Sequence, residues 1–133
     1  MAEARTLVAG EATGEVLVLE EPLSFWGGID PATGVVIDVH HPQRGANVAG
    51  TILVMPGGRG SSSSSSVLAE AIRAGTAPAA ILLLEPDPIV ALGAIVAREL
   101  YGTVVPVGVI TTGVPEGRRL CVRADAALTI EPA

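Results

Sequence analysis

Apolar residues along this chain fall into short blocks, each closed by glycine or proline. Residues 50–55 (Gly-Thr-Ile-Leu-Val-Met) form a β-branched apolar run that stops at Pro56-Gly57-Gly58, the pattern of a strand covered on both faces. After Arg59-Gly60 and six serines (61–66), the residues Val67, Leu68, Ala71 and Ile72 recur at helical spacing, with Gly75 as a stop. Residues 80–84 predict a second covered strand. Pro88 suits the first position of a helix, and Ile89, Leu92, Ile95 and Val96 supply its apolar face. Residues 104–110 predict a third strand, which Pro106 would push to a sheet edge.

The flanks read as extended chain with turns. Residues 5–9 and 15–20, rich in Val and Leu, predict two short strands separated by a turn segment at 10–14. Residues 34–39 predict another, and 119–123 and 127–130 complete the set. Residues 23–31 (Leu-Ser-Phe-Trp-Gly-Gly-Ile-Asp-Pro) follow Pro22 and hold adjacent glycines, so they predict a shaped loop. The central strand, helix, strand, helix, strand order predicts an α/β domain with parallel pairing. The extra strands at both ends predict a barrel-like β/β/α arrangement in place of a plain doubly wound sheet.

Composition narrows the chemistry. A length of 133 residues suits one domain over 1–133. Apolar residues at 49% against 17% charged exclude general disorder. Aromatics are only 2%, so a stacking platform for single-stranded nucleic acid lacks its rings. The net charge of −6 argues against a phosphate-backbone partner as well. All 8 basic residues are arginine, which removes Schiff-base chemistry and any P-loop lysine. Cys121 stands alone, so neither an internal disulfide nor a thiolate cluster is available, and the cytoplasm is the expected compartment. The longest apolar stretches reach about half the ~20 residues of a membrane span, so no membrane association is expected. Mean hydropathy is high at +0.54, which follows from Ala and Val richness or from an apolar surface reserved for a partner.

The serine run carries the clearest functional signal. As composition alone it is a flexible linker. Its neighbours argue otherwise, because a strand, a glycine-rich turn and an amphipathic helix in succession put the first serines at a helix N-terminus. There, unpaired N–H groups and roughly half a positive charge attract anions. Neither a Walker loop nor a nucleophile elbow fits, since the Gly-Lys-Ser/Thr ending and the Gly-x-Ser-x-Gly frame are both missing. A Ser-His-Asp set would need Asp38, His40 or His41 from one short loop, where solvated polar groups are expected. Adjacent histidines also point to opposite faces of an extended chain, so no metal site is expected in this chain.

Other candidates have structural readings beside functional ones. Phe25 and Trp26 are expected to plug the end of a barrel; alternatively Ser24, Phe25, Trp26, Gly27 and Gly28 wall a pocket or docking face. Thr111 and Thr112 end a predicted strand as a turn or as a ligand contact. Arg118, Arg119 and Arg123 are expected on a solvent face, and Cys121 as a small buried hydrophobe.

Two segments together resemble the aconitase X family, and within it the small swivel subunit or domain. One is residues 22–34, with Ser24-Phe25-Trp26-Gly27-Gly28-Ile29-Asp30-Pro31 at its centre. The other is Arg44-Gly45-x-x-Val48-Ala49-Gly50 leading into Pro56-Gly57-Gly58-Arg59-Gly60-Ser61-Ser62. The resemblance covers nearly the whole chain and implies an aconitase swivel-like β/β/α fold. It also implies a hydro-lyase shared with a large subunit that carries an iron or iron–sulfur centre, this chain binding none alone. By the same resemblance Ser61 is the base, with Arg59, Gly60, Ser62 and Ser63 anchoring a small hydroxy-acid substrate. Aconitase has an Arg directly after its two serines where this chain has Ser63, so that carboxylate contact is lost or moves to Arg59. Family members dehydrate cis-3-hydroxy-L-proline or mevalonate 5-phosphate, and the scarcity of positive charge favours the unphosphorylated substrate. The alternative is a non-catalytic anion-binding or regulatory module on the same fold.

Overall fold

The two-sided burial that the central blocks predict is realised around one curled sheet. The computed structural model describes residues 4–58, 63–111 and 113–133. Strands β1 (Ala4–Val8), β2 (Gly10–Val18), β3 (Ile52–Met55), β4 (Ala80–Leu83), β5 (Val107–Ile110), β6 (Arg119–Ala124) and β7 (Leu128–Pro132) lie in the spatial order β1-β5-β4-β3-β2-β6-β7. Strands β2 to β5 run parallel, and β1, β6 and β7 pair antiparallel to their neighbours. One residue separates β1 from β2 in the chain, yet β5, β4 and β3 lie between them in the sheet. Only a curled sheet satisfies both facts, and the edge strands β1 and β7 do come into contact.

Two helices, α2 (Ser63–Ala74) and α3 (Pro88–Tyr101), cross over between the parallel strands; the short α1 (Phe25–Gly28) precedes them. Side chains alternate across each strand. Leu53, Met55, Ile81, Leu83 and Val107 pack with Leu68, Ala71, Ile72, Val90, Ala94 and Ala97 of the helices. Ile52, Val54, Ala80, Leu82 and Ile110 fill the inside of the curl with Val16, Leu120, Val122 and Leu128. Each fully buried aliphatic side chain of this kind contributes about 1.5–3 kcal/mol. Burial on both faces explains why these strands read as continuous apolar runs.

Four expectations need correction. The 10–14 segment is not a turn but the first half of β2, paired with β6 from Gly10↔Ala124 to Glu15↔Arg119. A Cβ on Gly14 would sit 2.6 Å from the carbonyl oxygen of Gly50, so glycine there serves close packing. Residues 34–39 form no strand, only single bridges Ile29↔Val36 and Val35↔Asn47. Pro106 does not put its strand at an edge: β5 begins one residue later, between β1 and β4, and the Pro106 carbonyl accepts from the Ile81 N–H at 3.0 Å. The proline thus never has to donate to the ladder.

The fourth concerns α3. Pro88 and the stop at Gly102, in the left-handed region at φ 70°, suit the predicted helix. Its buried stripe, however, is Val90, Gly93, Ala94 and Ala97, one position on from the predicted face, and Leu92 is 48% exposed. The cause is the crossing with α2. A Cβ on Gly93 would stand 2.9 Å from the Ser65 carbonyl oxygen and 3.1 Å from Leu68 Cβ. Close approach selects small residues here over large ones, even though glycine inside a helix costs roughly 1 kcal/mol against alanine. Gly93→Val is therefore expected to lower stability by about 1–3 kcal/mol, read as a lower urea midpoint with an unchanged m value. An unaltered midpoint would mean that the two helices part freely at this crossing.

Candidate functional site

Because β2 to β5 are parallel, the segments that follow them gather at one end of the sheet. Pro56 to Gly58 follow β3, Leu84 and Glu85 follow β4, Thr111 follows β5, and the loop that contains α1 follows β2. Such carboxyl-end crevices are the usual place for ligands in α/β sheets. Arg59, Gly60, Ser61, Ser62 and Thr112 lie outside the described residues. The described residues fix what holds the two ends of the 59–62 connection.

At the upstream end, Gly58 forms a parallel bridge with Leu23. A Cβ on Gly58 would fall 1.8 Å from Asp87 Oδ2 and 3.0 Å from Val90 Cγ2, so only glycine fits. Asp87 is there because it caps α3, accepting from the N–H groups of Ile89 (2.8 Å) and Val90 (3.4 Å). At the downstream end α2 opens with serines that divide by helical periodicity. Ser63 and Ser66 are exposed, whereas Ser64 and Ser65 are buried. Ser65 Oγ donates to the Ile89 carbonyl at 2.7 Å and ties α2 to the start of α3. Ser64 Oγ lies 3.1 Å from Ser24 Oγ, and Ser24 donates to the Trp26 carbonyl at 2.9 Å. The first turn of α2 holds no acidic residue, so its N-terminal dipole is not offset from within the helix.

The loop after β2 splits the expected aromatic plug. Phe25 is buried in the helix-side core and Trp26 is 63% exposed. The separation comes from the backbone: Trp26 (φ −88°, ψ 112°) and Gly27 (φ 79°) leave the helical region within α1, which turns successive side chains apart. Buried Gly28 accepts at its carbonyl from the Ile37 N–H at 2.9 Å, bracing the loop. Ser24 therefore borders the start of α2 through Ser64, Phe25 joins the core beneath that helix, and the Trp26 side chain faces outward. Thr111 is exposed at the same end of the sheet, two strands from β3, on the order of 10 Å away.

His40 is exposed as expected, but His41 is buried. Its Nδ1 accepts from the Gln43 N–H at 3.0 Å, which leaves Nε2 to carry the proton and donate to the Glu21 carbonyl at 3.2 Å. Both ring nitrogens are occupied in bracing the 38–43 turn. Arg118 and Arg119 are exposed, and Arg123 pairs with Glu11 at 2.8 Å on the outer face of β6. That hydrogen bond raises the Arg123 pKa, as the Glu70 contact raises that of Arg73 on α2. Cys121, expected to be buried, is half-buried between those arginines on the outward side of β6. Arg44 lines a cleft of about 830 Å³ with Glu15, Gln43, Gly50 and Glu116. Gly50 and Thr51 precede β3, so this cleft opens at the opposite end of the strands from Gly58. Among the described residues no three His, Cys, Asp or Glu side chains gather as metal ligands, and no helix is long and apolar enough to cross a membrane.

Ser64 and Asp87 are missing from the sequence-derived candidates. Extending the Leu68–Ile72 stripe back by one helical turn lands on Ser64 and Ser65, and Asp87 before Pro88 is a helix-start pattern. Both signals were present.

Comparison with known proteins places this geometry in context. A family model described as the aconitase X swivel domain matches residues 1–130. A protein of Pseudomonas aeruginosa named cis-3-hydroxy-L-proline dehydratase is 60% identical over 103 residues, 77% of this chain, and the chain spans only 18% of that protein's length. A phosphomevalonate dehydratase small subunit of Thermococcus onnurineus is 41% identical over 124 residues, 93% of this chain and 92% of that one. The crystal structure of Thermococcus kodakaraensis aconitase X in its holo form superposes with a TM-score of 0.87 at 37% identity, covering 99% of this chain and 97% of that one.

Loss of the α3 cap in Asp87→Ala is expected to cost about 1 kcal/mol. Gly58→Ala is expected to destabilise the otherwise unchanged chain and to do so much less in the Asp87→Ala background, where the opposing carboxylate is gone. Equal costs in the two backgrounds, measured by urea denaturation, would contradict the contact.

Proposed function

The chain belongs to the aconitase X family, as its swivel domain, and from that premise we propose that it supplies the proton-accepting half of a hydro-lyase active site. The other half comes from a metal-carrying large subunit. One structural observation carries this reading: both ends of the 59–62 connection are held at the carboxyl end of the sheet by the loop that carries the family's Ser-Phe-Trp-Gly-Gly signature.

In the proposed reaction a proton leaves the carbon beside the substrate carboxylate and goes to the Ser61 oxygen, while the neighbouring hydroxyl departs. A free serine alkoxide is far too basic to persist at neutral pH, so the site must stabilise it. The N-terminal dipole of α2, the positive fork of Arg59 and exclusion of water by the partner all act in that direction. Arg59, Gly60, Ser62 and Ser63 would hold the carboxylate. An iron or iron–sulfur centre would act as the Lewis acid for the departing hydroxyl. The described residues of this chain do not form a site for it, so the reading assigns it to the large subunit.

The substrate we favour is cis-3-hydroxy-L-proline. Greater identity to the pseudomonal dehydratase than to the thermococcal small subunit supports it, as does the scarcity of cationic side chains for a phosphate. Mevalonate 5-phosphate is the second reading, favoured by likeness to the thermococcal small subunit over most of its length. The assay is dehydration of both compounds by this chain co-expressed with its large subunit. The hydroxyproline is expected to turn over faster, and the reverse preference would replace the first reading by the second. Ser61→Ala is expected to lower kcat by about 10²–10⁴-fold with the complex still assembling by size exclusion; near-normal turnover would refute the base assignment. Arg59→Ala is expected chiefly to raise KM, and an unchanged KM would remove Arg59 from the pocket.

A further inference from the structure

We propose that Ser24 is a positioning residue for this reaction, acting through Ser64; the inference rests on the reading that the 59–62 connection supplies the base. Hydroxyl bookkeeping gives the pair a direction. Ser24 has one proton, and the Trp26 carbonyl can only accept, so the 2.9 Å contact between them uses that proton. The 3.1 Å contact between the two serine oxygens must then be donated by Ser64. The chain of bonds runs from Ser64 to Ser24 to the Trp26 carbonyl, and each member has a single orientation.

The placement of this chain of bonds is what makes it functional. Ser64 is 3% exposed, so its hydroxyl is oriented inside the protein and not by solvent. Leu23, the residue before Ser24, bridges Gly58. Consecutive residues, with Cα atoms about 3.8 Å apart, therefore hold Gly58 and Ser64, the points that bracket the connection. A neutral hydrogen bond of this kind contributes only about 0.5–1.5 kcal/mol to stability, a modest gain for burying a hydroxyl. Its geometric effect is larger in scale, since a displacement of about 1 Å at a reacting group can cost 10²-fold in rate. The bond to the Trp26 carbonyl also braces the backbone that leaves the Trp26 side chain exposed.

The test is a double-mutant cycle on the assembled enzyme, with kcat and KM measured for Ser24→Ala, Ser64→Ala, the double variant and Ser24→Thr. Each alanine variant is expected to lower kcat about tenfold with KM within about twofold. The double variant is expected to be no slower than the slower single, because both remove one interaction. Ser24→Thr, which keeps the hydroxyl, is expected to recover most of the loss. A normal kcat in Ser24→Ala, a double variant slowed about 100-fold by simple multiplication, or a threonine variant as slow as alanine would each overturn the proposal. Should Ser24→Ala not assemble, Ser64→Ala carries the same expectation, and normal turnover in it is equally fatal. Ser61→Ala is measured alongside. Full activity there sinks the base assignment and this inference with it, whereas its inactivity beside a normal Ser24→Ala sinks this inference alone.

Discussion

Two-sided burial of the three central parallel strands governs the rest of the molecule. With Leu53, Met55, Ile81 and Leu83 turned to the helices and Ile52, Val54, Ala80 and Leu82 turned into the curl, β3 and β4 cannot shift register by one residue. Such a slip would exchange the two faces, whose partners differ in size and curvature. A fixed register also fixes where the strands end. Met55 and Leu83 finish level with Val109, one residue before the end of β5, and the chain must leave that level through turns before it can enter α2 or α3. The carboxyl-end crevice is thus a consequence of the core.

The residues that flank the 59–62 connection are held from three directions, each with its own chemistry. Asp87 fills the space beside Gly58 because α3 requires a cap. Ser65 anchors α2 to the Ile89 carbonyl because the helices cross closely at Gly93. Ser24 reaches Ser64 from the extended residue just before α1, its hydroxyl also bound to the Trp26 carbonyl. A run of serines that looks uniform in composition is therefore differentiated by position: Ser64 and Ser65 are buried and tie elements together, whereas Ser63 and Ser66 are exposed. Reactive groups held on rigid supports in this way lose little orientation when a substrate arrives.

Much of this was legible in the chain. The blocks around Ile52, Leu68, Ala80 and Pro88 announced themselves through period and punctuation, and the strand-turn-helix placement of the serines followed. What escaped was set by partners distant in sequence. Gly10 and Gly14 look like turn residues, and only the approach of Val104 and of the Gly50 carbonyl reveals them as packing positions within β2. The buried face of α3 differs from the expected one because large aliphatics dominate a periodicity count, while the crossing with α2 rewards Gly93 and Ala94. His41 looks like a loop residue until its ring nitrogens meet Gln43 and Glu21. The roles of Ser61 and Arg59 rest on family resemblance, since those residues lie outside the described part of the chain.

The central claim is that substrate meets this chain at the carboxyl end of β3, at the turn into α2. Amide hydrogen exchange of the assembled enzyme, with and without saturating substrate, tests it directly. Slower exchange is expected on substrate addition across residues 57–65 and in the loop around Ser24 to Gly28, with little change elsewhere in the chain. Unchanged exchange there, together with protection of the Arg44-lined cleft at the opposite end of the strands, would contradict the account.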